Sequence, residues 1–310
     1  MKNILVIKHG AFGDFIMAEG AFKAIKAYHE KDHITLLTSK LFKEIAENSD
    51  YFDAVEIDDR KPFWNLCALR QLWKIFKHKS YTRIYDLQTS SRTALYYRYL
   101  KHADTEWVGA IPESKFYFPK AMHSKVHIFE RHRKQLESAG LRNIPDADNQ
   151  WLVKHSTVLE NIKGKFAIVV TGASKGHDKK CWPIENYLKI CEHLISKDLQ
   201  VVLTGTSNEA SKIEFIKENI SQPERIISLM NQADFYDYAT LSQKAMLIIG
   251  NDTGPFHLMA FSKIPAILLL SGVTNLVSAV PKWHSLSYLK EDNIADISVQ
   301  KVCLLIDSKL

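Results

Sequence analysis

The chain has 310 residues, 46% of them hydrophobic and 25% charged, with a net charge of +6. That is enough apolar material for two ordinary domains, each with its own core, and too balanced a composition for a disordered or fibrous protein. The four cysteines, at 67, 181, 191 and 303, form neither a CxxC pair nor a zinc-ligand spacing, which argues against a disulfide framework and fits a reducing cytoplasm.

The N-terminal MKNILVIKHGAFGD has four apolar residues in a row before Lys8 and His9. That is too few for a signal-peptide core and reads as a first strand over 4–7. Glycines at 10 and 13 tighten the turn that follows, and Asp14 opens the next helix, where it serves either as an N-cap or as a general base. The turn is GxxG, not the GxGxxG of a dinucleotide fingerprint, and no acid closes a strand some 20 residues later.

Further strands are predicted at ITLLT (34–38), AVEI (54–57) and RIYDL (83–87), separated by helical periods. The helix over 64–77 places Leu69, Leu72, Trp73 and Phe76 on one face and Arg70, Lys74 and Lys77 on another. Residues 60–101 hold ten Lys or Arg and one acid, Asp86, a local charge of +9. Such a patch calls for an anionic partner: nucleic acid, a phosphorylated substrate or an anionic membrane surface.

After the amphipathic helix of VHIFERHRKQLESAGL comes the polar segment NIPDADNQWLVKHSTVLENIKGK, which places a domain boundary between 155 and 156, giving domains 1–155 and 156–310. Its DAD, at 146–148, imitates a metal-binding DxD but follows no strand and reads as solvated loop, so no metal site is expected. A second series of strands runs through 166–171, 201–204, 225–229, 246–249 and 266–270. The fold class is therefore α/β, with two Rossmann-like halves built on mostly parallel sheets. No uncharged apolar run approaches the roughly 18 residues of a membrane-spanning helix.

Ligands of such sheets bind at the carboxyl ends of the strands. Three loops of the second half stand out there. TGASKGHDKKCWP (171–183) offers small residues and lysines to a pyrophosphate, or is a solvated loop. LTGTSNEASK (203–212) places Glu209 either to accept ribose hydroxyls or simply in a helix first turn that favours an acid. GNDTGPFHLMA (250–260) combines the capping residues Asp252 and Thr253 with Gly254 and Pro255, either as a cradle for an anion or as a well-capped βα turn, with His257 read as a hydrogen-bonded packing residue.

In order and spacing, GAFGD, DLQTSSRTAL, HIFERHRKQLESAGL, GAS with KCWP, GTSNE and GNDTGPFHL together resemble the heptosyltransferase family of bacterial lipopolysaccharide synthesis over nearly the whole chain. The resemblance implies a two-domain GT-B glycosyltransferase with an interdomain cleft, an N-terminal acceptor domain and a C-terminal domain for a nucleotide sugar, typically ADP-heptose. It implies an inverting, metal-independent transfer without cofactor, with Asp14 as base and Lys180 beside the leaving phosphate. Donor contacts would come from Gly172, Ala173, Ser174, Lys180, Glu209, Asp252, Thr253, Gly254 and His257. Acceptor contacts would come from Gly13, Arg60, Lys61, Gln88 and Arg92. The acceptor would be an anionic, lipid-linked saccharide met at the inner face of the cytoplasmic membrane, with Trp64 and Trp73 either at that interface or, for Trp73 above all, in the core. No segment has the heptad pattern of a coiled coil, which leaves a monomer as the expected state. Two other readings stand beside this one. A nicotinamide-dependent oxidoreductase lacks its fingerprint, and a nucleic-acid binder lacks any helix-turn-helix, RRM or KH signature.

Overall fold

A computed structural model describes residues 1–122, 125–172, 181–205, 207–280 and 283–310. They form two units, Met1–Ala147 and Asp148–Leu310.

The first unit alternates strands and helices: β1 (Asn3–Ile7), α1 (Phe12–Ile16), α2 (Glu19–Tyr28), β2 (His33–Thr38), α3 (Lys43–Glu47), β3 (Ala54–Ile57), α4 (Leu66–His78), β4 (Arg83–Asp86), α5 (Ser91–Tyr99), β5 (Glu106–Gly109), β6 (Phe116–Tyr117) and α6 (Ile128–Ser138). Among the described residues its sheet has six strands in the order β3-β2-β1-β4-β5-β6, every pair parallel. β1 lies at its centre, Ile4 opposite Ile34 on one side and Arg83 on the other. Ile4, Leu5, Val6 and Ile7 are fully buried, as a strand covered on both faces requires.

The second unit repeats the plan: β7 (Phe166–Val170), α7 (Ile184–Ser196), β8 (Gln200–Thr204), α8 (Ala210–Asn219), β9 (Ile226–Ser228), α9 (Phe235–Ser242), β10 (Leu247–Asn251), α10 (Gly254–Ala260), β11 (Ala266–Ser271), α11 (Leu276–Ala279), β12 (Leu286–Glu291) and α12 (Val299–Lys309). Among the described residues its six parallel strands run β12-β11-β10-β7-β8-β9. In each sheet the order reverses beside the first strand, between β1 and β4 and between β7 and β10, and the carboxyl ends at such a switch point are where open α/β sheets bind ligands. At the second of these, Gly250 is required by packing: a Cβ there would stand 2.6 Å from Val170 Cβ and 2.8 Å from the Val170 carbonyl oxygen.

The division after Ala147 precedes the expected boundary at 155, because the intervening residues bond within the second unit. Asn149 donates from Nδ2 to Ser242 Oγ and to the Leu258 carbonyl, both at 3.0 Å, and Thr240 Oγ1 donates to the Lys154 carbonyl at 2.8 Å. In the first unit, α4 buries Leu72, Ile75 and Phe76 against Leu5, Ile7 and Tyr96. Trp73, expected mainly as core, is half exposed instead, since the buried stripe passes through positions 72, 75 and 76. None of the helices among the described residues is long and apolar enough to cross a membrane.

Candidate active site

In the first unit, β1 is followed by two polar residues that the fold buries, Lys8 and His9. Lys8 Nζ donates to the Leu87 carbonyl at 3.3 Å, and the His9 N–H donates to Gln88 Oε1 at 2.9 Å, so the loop after β4 is tied to the end of β1. Burial lowers the Lys8 ammonium to about 8; the nearby Asp14 and Asp86 carboxylates oppose this and Arg131 reinforces it. Asp86, fully buried, is pushed up to about 6 by burial, although its Oδ1 accepts the Thr89 N–H at 2.8 Å. Gly13 and Asp14 lie on α1, with Asp14 in the first turn, where a carboxylate is favoured by the helix dipole. The carboxyl ends of β1 and β4 thus carry a small charge cluster of Lys8, Asp14, Asp86 and Arg131. The residue pattern flagged only Asp14 for chemistry. The available signal for Lys8 was a lysine directly ending a fully apolar strand.

Burial also lowers His9 to about 4, a neighbouring Asp58 opposing it. His9 Nε2 stands 3.3 Å from Asp58 Oδ2 without hydrogen-bond geometry. Asp58 belongs to Arg92, which donates Nε to Oδ2 at 2.8 Å and Nη2 to Oδ1 at 2.7 Å, and it also accepts from Tyr96 Oη and the Arg60 N–H. Burial pushes the Asp58 carboxyl up, but those bonds outweigh it and hold it below the usual carboxylate range. Arg92 further donates to the Lys61 carbonyl at 2.8 Å and packs over the Phe63 ring. Of the expected acceptor residues, Arg92 is therefore committed to the fold, Gln88 holds β1, and Arg60 and Lys61 are exposed, Lys61 Nζ 3.7 Å from Asp59.

Beside α1 opens a cavity of about 300 Å³ whose lining includes His9, Phe12, Ser39, Lys40, Leu41 and Arg60. Phe12 stacks on Phe42 and Phe42 on Phe15, with ring centroids 6.1 and 4.3 Å apart, making one wall apolar, while Lys40, Asp59 and Arg60 bring charge to the lining.

In the second unit, the ends of β7, β8 and β10 converge. Gly172 follows β7, and a Cβ on it would come within 2.8 Å of Glu209 Cδ and 2.9 Å of Glu209 Oε1, so the buried Glu209 carboxylate occupies the space that glycine leaves. Asn251, fully buried at the end of β10, donates from Nδ2 to the Thr171 and Gly172 carbonyls, both at 3.1 Å. Its Oδ1 accepts from the Trp182 N–H at 3.2 Å and Tyr187 Oη at 2.8 Å. The next residue, Asp252, has Oδ1 2.9 Å from His257 Nε2 and Oδ2 accepting from Thr274 Oγ1 at 3.0 Å. Thr253 caps α10 by accepting the Phe256 N–H, with Gly254 and Pro255 in the first turn. His257 is the buried, hydrogen-bonded residue expected there, and its partner is Asp252. Gly172, Glu209, Asp252, Thr253, Gly254 and His257 all sit at the carboxyl edge of this sheet. Ala173, Ser174 and Lys180 lie outside the described residues. Sequence reasoning passed over Asn251 and Thr274, which brace Asp252 and the backbone beside it.

Among the described residues no group of three or more His, Cys, Asp or Glu is placed to hold a metal ion. The arrangement offers acidic hydrogen-bond acceptors and a capped helix start in one unit, and a carboxylate beside a buried lysine in the other.

Residues 69–277 match the model of glycosyltransferase family 9 (heptosyltransferase). The chain is similar to lipooligosaccharide heptosyltransferase 2 of Haemophilus ducreyi, 21% identical over 297 residues, 88% of this chain and 84% of that one. It is also similar to lipopolysaccharide heptosyltransferase 3 of Escherichia coli K12, 28% identical over 160 residues, 49% of this chain and 46% of that one. Among solved structures, E. coli ADP-heptose lipopolysaccharide heptosyltransferase II superposes with a TM-score of 0.77 at 18% identity, covering 99% of this chain and 98% of that one. E. coli heptosyltransferase WaaC with ADP-2-deoxy-2-fluoro heptose gives 0.76 at 17% identity, covering 99% and 100%. These likenesses establish the GT-B fold and lend no support to the oxidoreductase or nucleic-acid readings. The chain belongs to glycosyltransferase family 9.

Proposed function

We propose that this glycosyltransferase moves heptose from ADP-heptose to a saccharide of the lipopolysaccharide core, by an inverting, metal-independent displacement. The observation that carries the reading is the convergence of Gly172, Glu209 and Asp252 at the carboxyl ends of β7, β8 and β10, in a chain whose solved relatives include one bound to an ADP-heptose analogue. In this reading Glu209 accepts the ribose hydroxyls. Asp252, held by His257 and Thr274, binds the heptose hydroxyls. Thr253 and Gly254 lie along the diphosphate, with Gly172, Ala173 and Ser174 beside it, and Lys180 neutralises the charge that develops on the leaving ADP.

Asp14 takes the proton of the acceptor hydroxyl as its oxygen attacks the anomeric carbon. The bond from that carbon to the phosphate oxygen breaks, and ADP leaves with the electron pair. The cavity beside α1 takes the acceptor saccharide, with Phe12 against a sugar face and Arg60 and Lys40 toward its anionic groups; Gly13 and Lys61, the chain neighbours of Phe12 and Arg60, add further contacts. Gln88 and Arg92 contribute by holding β1 and the Asp58 turn. The acceptor's lipid places the enzyme, as a monomer, at the inner face of the cytoplasmic membrane.

Thermal stability against ADP, GDP, UDP, CDP, TDP and NAD tests the donor assignment, because a ligand at 100 times its Kd adds about 2.7 kcal/mol. ADP alone is expected to raise the Tm, and the Glu209→Ala protein is expected to lose the shift. A rise with another nucleoside diphosphate, or with NAD only, would contradict the ADP-heptose assignment.

A further inference from the structure

α4 turns an unusual face outward. Trp64, just before the helix, is 84% exposed, Leu66 is 76% exposed and Trp73 is 50% exposed. Positions 66, 70, 73 and 74 follow the helical repeat, so Arg70 and Lys74, both exposed, interleave with the apolar residues on the same side. The opposite side of the helix, through Leu72, Ile75 and Phe76, is packed into the core, and the Asn65 side chain caps the helix by accepting the Ala68 N–H at 3.0 Å. The exposed face is therefore fixed in place by a buried one.

Its charge is one-sided: residues 62–78 hold Arg70, Lys74 and Lys77 and no Asp or Glu. Exposed apolar side chains grouped on one face and rimmed by polar residues mark a surface that meets a partner. A cationic rim around two tryptophans and a leucine matches the headgroup layer of an anionic bilayer, where indole rings settle at the polar boundary and basic side chains meet lipid phosphates. Arg60, which lines the cavity beside α1, precedes this face by a few residues, so a lipid surface held here lies next to that cavity.

We propose that Trp64, Leu66 and Trp73, with Arg70 and Lys74, form the surface by which the protein docks on an anionic lipid leaflet. The proposal deepens the functional reading given above and rests on it for the identity of the membrane, while its physical content is testable without any sugar.

Flotation of the purified full chain with phosphatidylcholine vesicles, with and without phosphatidylglycerol, at low and raised salt, reads the docking directly. The unaltered protein is expected to float only with the anionic vesicles and less at raised salt. Arg70→Glu with Lys74→Glu is expected to lower the bound fraction by about a hundredfold. Trp64→Ser with Leu66→Ser is expected to lower it by about tenfold, and brominated lipid is expected to quench the fluorescence of the unaltered protein more than that of the Trp64→Ser protein, in which Trp73 remains. Absence of binding to anionic vesicles, or equal binding by the Trp64→Ser, Leu66→Ser protein, would overturn the proposal. So would self-association in solution that this pair abolishes, which would make the face a contact between copies. Transfer to a delipidated acceptor separates the two ideas: docking can fail while transfer persists, and the Arg70→Glu, Lys74→Glu protein is expected to keep its rate on that acceptor.

Discussion

Gly172 and Glu209 are mutually dependent: the carboxyl group of Glu209 fills the space where any side chain at 172 would begin. A methyl group there meets the far end of a flexible side chain and not backbone, so Gly172→Ala is expected to swing the carboxylate away with little loss of stability. A charge-assisted hydrogen bond contributes on the order of 1.5–3 kcal/mol, so ADP affinity is expected to fall roughly tenfold to a hundredfold. Glu209→Ala should have the same effect, and the double variant should be no worse than either single one, as measured by calorimetric titration with ADP. Additive losses would mean that the two residues act separately.

The Asp58–Arg92 pair predicts a stability phenotype where a binding phenotype would be expected from an arginine in a basic segment. Arg92→Ala leaves the buried Asp58 carboxylate without its bidentate partner, and is expected to cost about 3 kcal/mol in urea unfolding. Arg92→Lys should recover only part, because an ammonium cannot bond both oxygens in the fork geometry. A protein of undiminished stability with a raised acceptor KM would show that Arg92 contacts substrate.

Buried titrating groups set the pH profile of stability. Lys8 is lowered to about 8 in the folded chain from an ordinary 10.5, so from about 8 to 10.5 the unfolded chain holds a proton the folded one lacks. Stability should therefore rise across that window, at most by about 1.4 kcal/mol per pH unit, and Lys8→Met should abolish the rise. His9, lowered to about 4, adds stability as pH climbs from about 4 to 6.5. Asp86, raised to about 6, removes stability between 3.8 and about 6. These two effects oppose each other in the wild type, so Asp86→Asn should uncover a steeper rise in stability between pH 4 and 6. Denaturant midpoints across pH check both statements, and parallel curves for wild type and variants would refute them.

Much of this fold was legible because parallel strands covered on both faces are written as short apolar runs, as ILVI and AILLL are. β5 and β12 escaped notice for the opposite reason: EWVG is brief, and the edge strand LSYLKE is partly exposed and carries charge. Glu209 and Asp252 could be flagged from their places after strands. Lys8 carried only one signal, a lysine directly after an apolar strand, because its burial and that of His9 depend on β2 at residue 37 and on residues 87 and 88 after β4. Arg92 looked like a substrate contact because its carboxylate partner lies 34 residues earlier. Trp73 looked inward because helical periodicity defines a stripe without defining its width, and here the stripe stops at Leu72 and Phe76.

Asp14 as the base of heptosyl transfer is tested most directly by acceptor-dependent release of ADP from ADP-heptose, with a lipopolysaccharide core lacking its heptose as acceptor. The wild type is expected to release ADP only when the acceptor is present. Asp14→Asn should bind ADP-heptose with the same Kd and release ADP on the order of 10²–10⁴ times more slowly. An Asp14→Asn protein that turns over at the wild-type rate, or a wild type that releases no ADP with this pair of substrates, would contradict that role.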